Sequence, residues 1–250
     1  MAQKAQELKA QGVDVISLSV GEPDFATPDH IKEAAKLAID QNFSYYTPVP
    51  GYLSLRKAIC GKLKNENNLD FTPDQILVCN GAKQALCNVI LATINPGDEV
   101  VIPTPAWVSY VQMVNLAEGK SVLVHASVEQ DFKITADQLR AAITPKTRMV
   151  MLCSPSNPTG SVYSRDELKA LADVLADYPE IIILADEIYE HVNYSGEFNS
   201  IAQFESVRDR CVIINGVSKA YAMTGWRIGF MAGPLWVVKA CNKLQGQYTS

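Results

Sequence analysis

The 250-residue chain lacks several features that would fix its class at once. It has no apolar run of about 18 residues or more, so no membrane-spanning helix is expected. Its six cysteines, at positions 60, 79, 87, 153, 211 and 241, form no CxxC pair, and several lie inside apolar runs. They read as buried free thiols of a reducing cytoplasm rather than a disulfide framework. The three histidines, His30, His125 and His191, are dispersed and suggest no metal site. Positive charge is also short: 22 Lys and Arg against 27 Asp and Glu leave a net charge of −5. No basic stripe offers itself to nucleic acid. The start, Met1 to Leu8, is polar and helix-forming, unlike a signal peptide. Repeats and low-complexity tracts are missing, and so is a Gly-x4-Gly-Lys-Ser/Thr phosphate loop.

What is present suits one large globular domain, or one and a part: 48% of residues are hydrophobic and 20% charged. Helices are expected over residues 2–11, stopped by Gly12, over Pro28 to Gln41 with Thr27 as cap, and over Leu53 to Glu66. Val13 to Val20 reads as extended. From Gln75 on, strand and helix alternate. Strands are expected at 76–79, 99–102, 121–124, 149–153, 181–185, 211–214 and 228–232. Helices are expected at 81–92, 107–116, 136–142, 165–176 (capped by Ser164) and 234–247, the last with Trp236, Val237, Ala240 and Leu244 on its apolar face. Such alternation implies an α/β fold: a mostly parallel sheet with helices on both faces. The strand at Ile228 follows its predecessor after a short connection, which suits an antiparallel member.

Four segments carry chemistry. In Ser218-Lys219-Ala220-Tyr221-Ala222-Met223-Thr224-Gly225-Trp226-Arg227, a lysine and an arginine lie between two apolar runs. The amine can condense with an aldehyde, and the guanidinium can hold a phosphate bidentately. Asp186 ends the apolar run Ile181 to Ala185, where open α/β sheets place their ligands, with Tyr189 three residues on. A carboxylate there could keep a ring nitrogen protonated; it could equally be a helix cap. Ser154-Pro155-Ser156-Asn157-Pro158-Thr159-Gly160 is a rigid loop at another strand end, and Asn157 offers an amide; an ordinary βα turn explains the same prolines and glycine. Asn80-Gly81-Ala82-Lys83 opens a helix with small residues, leaving N–H groups for a phosphate.

Taken in order along the whole chain, these segments resemble the class I aminotransferases of the aspartate aminotransferase family, fold-type I enzymes that use pyridoxal phosphate. Gly21-Glu22-Pro23-Asp24-Phe25, Tyr46-Thr47-Pro48-Val49-Pro50-Gly51 and Pro105-Ala106-Trp107-Val108-Ser109-Tyr110 add to the match. The resemblance implies the three-layer α/β/α large domain of that family over residues 28–250, with 1–27 belonging to a small domain that is otherwise mostly missing. Pyridoxal 5'-phosphate is the implied cofactor. Lys219 is then the lysine that joins the cofactor's aldehyde and later the general base. Asp186 pairs with the pyridine nitrogen, Asn157 and Tyr189 bond the ring oxygen, and Trp107 stacks on the ring. Arg227, the N–H groups of Gly81, Ala82 and Lys83, and Tyr46 reaching across a homodimer interface hold the phosphate. Gly21, Trp107 and Asn157 line the substrate site. The Asn157–Pro158 bond is expected to be cis.

One departure is Gly216, where some relatives carry a phosphate-binding serine; it points to the bacterial branch, whose members include aspartate and prephenate aminotransferases. The expected reaction moves the amino group of L-aspartate to 2-oxoglutarate in the cytoplasm. The alternatives are another amino-acid or prephenate aminotransferase, a C–S lyase, or a cofactor-binding fragment without turnover. Relatives extend beyond both ends, so the chain is expected to be truncated, to lack the arginine that clamps the substrate α-carboxylate, and to expose apolar surface where the small domain would pack.

Overall fold

The structure is a computed structural model that describes residues 2–16 and 21–249. Its centre is a seven-stranded sheet. The strands are β1 (Ile76–Asn80), β2 (Glu99–Thr104), β3 (Lys120–His125), β4 (Thr147–Cys153), β5 (Ile182–Asp186), β6 (Cys211–Gly216) and β7 (Ile228–Ala232). They lie in the order β1-β7-β6-β5-β4-β2-β3. Only β7 is reversed against its neighbours; the other pairings are parallel. The connection over residues 217–227 is too short for the crossover helix a parallel return needs, so β7 comes back antiparallel.

The helices are α1 (Ala2–Ala10), α2 (Asp29–Asp40), α3 (Leu53–Asn67), α4 (Ala82–Thr93), α5 (Ser109–Leu116), α6 (Ala136–Ala142), α7 (Arg165–Ala176), α8 (Glu205–Arg208) and α9 (Leu235–Gln245). The middle strands are apolar on both faces because both faces are covered. In β5, Ile183 and Ala185 point into a core shared with α3, α6 and α7, while Ile182 and Leu184 point into a second core shared with α4, α5 and α9. β6 alternates the same way, Cys211 and Ile213 against Val212 and Ile214. Each fully buried leucine or isoleucine in these layers contributes about 1.5–3 kcal/mol. The result is the expected three-layer α/β/α arrangement. Ser164 caps α7 as expected, accepting from the Glu167 N–H at 3.3 Å while Glu167 accepts from the Ser164 N–H at 2.7 Å.

Three local expectations are corrected. Thr27 does not cap α2: its hydroxyl donates to the Ala222 carbonyl at 2.8 Å, and Pro28 stands at the N-cap. The helix expected from Trp107 begins at Ser109. In α9 the buried face is Val237, Val238, Cys241 and Gln245, and Trp236 is exposed. Gln245 replaces an apolar residue in that stripe because its amide has buried partners. It donates to the carbonyls of Val49 (3.0 Å) and Val78 (2.9 Å) and accepts from Asn88 (2.9 Å). Residues 13–16 form no strand, and the rest of the segment expected to be extended lies outside the described residues. No residue of α2 is buried, and Leu37, Ile39 and Phe43 are exposed.

Candidate active site

The carboxyl ends of β1, β2, β4, β5 and β6 meet at one edge of the sheet, and the reversed β7 begins there. This is where open α/β folds bind ligands, because the loops that leave the strands diverge and open a crevice. A cavity of about 340 Å³ lies at this edge. Ala82 and Lys83 enter it from the start of α4, Trp107 from the turn after β2, Asn157 from the loop after β4, and Asp186 and Tyr189 from the end of β5. Lys219 follows β6, Arg227 precedes β7, and Gly21 comes from the N-terminal segment. Long-range packing thus brings together every expected site residue except Tyr46 and Gly81.

Gly81 lies under the site rather than in its wall. It follows β1 as the N-cap of α4, with φ +80°, and a Cβ there would sit 2.2 Å from Arg227 Nη2. The bare glycine is what lets the guanidinium settle on the N-terminus of α4. Arg227 itself takes a left-handed backbone conformation, φ +56°, and Nη1 donates to the Thr224 carbonyl at 2.8 Å. A non-glycine residue held there costs on the order of 1–2 kcal/mol, which the anchored guanidinium must offset. One expectation fails at this point. The Gly81 N–H already donates to the Cys79 carbonyl at 2.8 Å, so it is not free for a ligand. The N–H groups of Ala82 and Lys83, in the first turn of α4, have no acceptor within the helix. Gly216 faces Gly229 across β6 and β7, and a Cβ at 216 would lie 2.8 Å from the Ile228 carbonyl oxygen. A serine has no room there.

The remaining groups are set by contact. The Lys219 amine donates to the Gly21 carbonyl and stands 5.6 Å from the Tyr189 ring centroid. Burial lowers its pKa and Arg227 lowers it further, while the Glu22 carboxylate opposes both. The ordinary lysine value is 10.5, so more neutral amine is present than at a surface lysine. Asp186 is buried, and burial raises its pKa against two hydrogen bonds: Tyr110 Oη donates to Oδ2 at 2.6 Å and the Ile188 N–H to Oδ1 at 3.3 Å. Desolvation and the adjacent carboxylate push the Tyr110 phenol well up, so it stays a neutral donor. Tyr110 is a site residue to which the sequence reading gave no role. Its signal was the i, i+3 spacing from Trp107, whose ring it meets edge-on at 5.5 Å. The Asn157 amide donates to Tyr189 Oη at 3.3 Å, so two donors face the same place, and the Asn157–Pro158 bond is cis as expected. Lys83 Nζ stands 5.0 Å over the Trp107 ring. Tyr46 is outside this cavity and 97% exposed.

Three cations, Lys83, Lys219 and Arg227, share this cavity with a single buried carboxylate. Fold and site together define an α/β protein with a cation-lined crevice at the carboxyl edge of its sheet, beside a half-buried lysine. The family profile for aminotransferase class I and II matches residues 13–250, and the chain belongs to this family. It is 53% identical over 249 residues to the aspartate/prephenate aminotransferase of Nitrosomonas europaea, covering 99% of this chain and 63% of that protein. To the bifunctional aspartate aminotransferase and glutamate/aspartate-prephenate aminotransferase of Petunia hybrida it is 49% identical, covering 99% of this chain and 52% of that protein. Among solved structures, the aspartate aminotransferase of Rhizobium meliloti superposes with a TM-score of 0.96 at 47% identity, covering 100% of this chain and 63% of that one. The Thermus thermophilus aspartate aminotransferase with maleate also reaches 0.96, at 44% identity, covering 99% and 64%. The chain therefore spans about 63% of the length of the first of these relatives.

Proposed function

We propose that the chain carries the cofactor half of an aminotransferase that uses pyridoxal 5'-phosphate and moves an amino group from L-aspartate to 2-oxoglutarate. The observation that carries this reading is the convergence of Lys219, Asp186 and Arg227 around one cavity. The site fits the cofactor in shape and charge. The cradle over Gly81, where Arg227 meets the first turn of α4, suits a phosphate. Asp186 suits a protonated ring nitrogen, since a cation brought to a buried carboxylate offsets the cost of its burial. Bound there, pyridoxal phosphate would supply an electron sink for a carbanion at the substrate Cα.

The chain's own residues do the rest. The lowered pKa of Lys219 keeps its amine available as nucleophile, and Nζ is the base that removes the Cα proton. Asn157 and Tyr189 orient the ring oxygen, Trp107 covers one face, and Gly21 borders the substrate. Tyr46 reaches the phosphate of a second copy in a homodimer. Residues 1–27 are assigned to a small domain and 28–250 to the large one. The protein is assigned to the cytoplasm, a reading that the free cysteines support.

Lys83 favours a dicarboxylate. Its ammonium lies in the cavity, over Trp107, where the distal carboxylate of aspartate could meet it. The Thermus relative was solved with maleate, another dicarboxylate. Borohydride reduction after loading with pyridoxal phosphate is the test, read by peptide mass. The label is expected on the peptide containing Lys219; on Lys83 or Lys239 it would overturn the reading. An aspartate plus 2-oxoglutarate assay then separates transamination from C–S lysis and from cofactor binding without turnover.

A further inference from the structure

Behind the site, on the side away from the cavity, lies a polar cluster that the reaction does not use. Its centre is Glu190, the residue after Tyr189 and the fourth after Asp186, with a side chain only 3% exposed. Oε2 accepts from the Asn215 amide at 2.8 Å and the Asn67 amide at 3.2 Å. Oε1 accepts from the Lys62 ammonium and lies 3.0 Å from His191 Nε2. Lys62 also donates to Asn67 Oδ1 at 2.7 Å. Glu66, Glu190 and His191 stand close enough together to suggest a metal, but the Lys62 ammonium already bridges both carboxylates. The cluster is a tie rather than an ion site.

What it ties is specific. Asn215 is the next-to-last residue of β6, and its own Oδ1 accepts from the Gly216 N–H at 2.7 Å. Lys219 follows four residues after Asn215. Glu190 is carried by the turn that presents Asp186 and Tyr189. One buried carboxylate therefore spans the two segments that carry the ring-holding groups and the amine, and pins both to α3 through Lys62 and Asn67. The backbone of β6 is already paired with β5 and β7 up to Gly216, and beyond it an apolar pocket of about 330 Å³ borders Val217, Tyr221 and Met223.

We propose that Glu190 is a positioning residue: its carboxylate fixes the Asn215–Lys219 segment against the Asp186–Tyr189 turn and so sets where the lysine amine stands relative to a bound ring. The inference rests on the proposed function, since it assumes that a ring binds between Lys219 and Asp186. Two measurements on the whole chain test it. The first is the rate of covalent attachment of pyridoxal phosphate, in which the Lys219 nitrogen displaces the aldehyde oxygen as water and borohydride reduces the C=N bond; peptide mass reads the product. The second is the affinity for pyridoxine 5'-phosphate, which has no aldehyde and so reports the phosphate and ring contacts alone.

Glu190→Gln is expected to slow attachment about tenfold, the scale of a sub-ångström misplacement, with affinity for the analogue unchanged. General loosening of the fold would weaken both in step, and that result, or an unchanged attachment rate, overturns the inference. Should Glu190→Gln fail to fold, Asn215→Ser leaves the Lys62–Glu190 pair intact, and the same split between the two measurements is expected. Wild-type protein that attaches nothing at Lys219 overturns the proposed function itself, a result separate from any difference between variants.

Discussion

Lys219 stands half-buried between charges of opposite sign, and that makes its titration a probe of the site. Burial and Arg227 favour the neutral amine, and Glu22 favours the ammonium. In the cofactor-free chain, acylation of Lys219 followed peptide by peptide should therefore have its midpoint below the ordinary 10.5. Glu22→Gln keeps an acceptor for the Thr224 hydroxyl, now 2.9 Å from the carboxylate, but removes the charge. The midpoint should fall further, because the remaining influences both disfavour the ammonium. A rise, or no movement, would mean that the Glu22 charge does not reach the amine. Lys219, Asp186, Asn157 and Arg227 were legible in the sequence because each follows or precedes an apolar run, and strand ends are where this fold puts chemistry. Glu190 was not, and for Tyr110 the spacing from Trp107 gave its place but not its partner. Tyr110 meets Asp186 across 76 residues and Lys62 meets Glu190 across 128, and no local pattern encodes such pairs.

At the scale of elements, the phosphate cradle depends on how closely β7 approaches the start of α4. A Cβ at Gly229 would lie 2.2 Å from the Ala82 backbone nitrogen, whereas at Gly81 it would meet the end of the Arg227 side chain. Backbone cannot step aside and a guanidinium can. Gly229→Ala is thus expected to lower the melting temperature more than Gly81→Ala. Gly81→Ala should fold, despite about 1–3 kcal/mol of strain in a backbone conformation, φ +80° and ψ 161°, that favours glycine, yet lose affinity for pyridoxine 5'-phosphate as Arg227 is displaced. Equal melting temperatures, or unchanged affinity in Gly81→Ala, would contradict this account.

Glu187, next to Asp186 at the end of β5, offers a second test. Burial raises its carboxyl from the ordinary 4.5 to about 8, the Ser200 hydroxyl bonds one oxygen, and the other is buried without a partner. The folded chain thus holds a proton that the unfolded chain releases. That contribution to stability is complete below about pH 4.5 and is lost as the pH rises through about 8. Glu187→Gln cannot ionise, so its melting temperature should stay level over that window while the wild type declines. Parallel curves would show that Glu187 does not titrate there. Element positions were legible for the reason β5 illustrates: a strand covered on both faces must be apolar throughout. The face of α9 was not, because the buried Gln245 looks like a solvent residue until its partners on β1 and α4 are known.

For the whole molecule, the unused surface is as telling as the cavity. α2 buries none of its residues, and Tyr45 and Tyr46 beyond it are 82% and 97% exposed. Tyr46 contributes nothing to its own cavity, so its proposed role at the phosphate requires a second copy. Mixed dimers decide this. A Tyr46→Phe chain keeps Lys219 but gives its partner's phosphate no phenol. A Lys219→Ala chain keeps Tyr46 but cannot attach cofactor. In a hybrid of the two, every site able to attach cofactor lies in the Tyr46→Phe chain. If Tyr46 acts across the interface, that site receives the intact phenol of the other chain. Cofactor affinity in the hybrid should then return to the wild-type value, while the Tyr46→Phe homodimer stays weaker by roughly tenfold, the loss of one hydrogen bond to a charged group of about 1.5 kcal/mol. If Tyr46 acts within its own chain, the hybrid should remain as weak as the Tyr46→Phe homodimer. Titrated with pyridoxal phosphate and read as borohydride-fixed label on the Lys219 peptide, which only the Tyr46→Phe chain can carry, these two outcomes differ by the whole effect of the substitution.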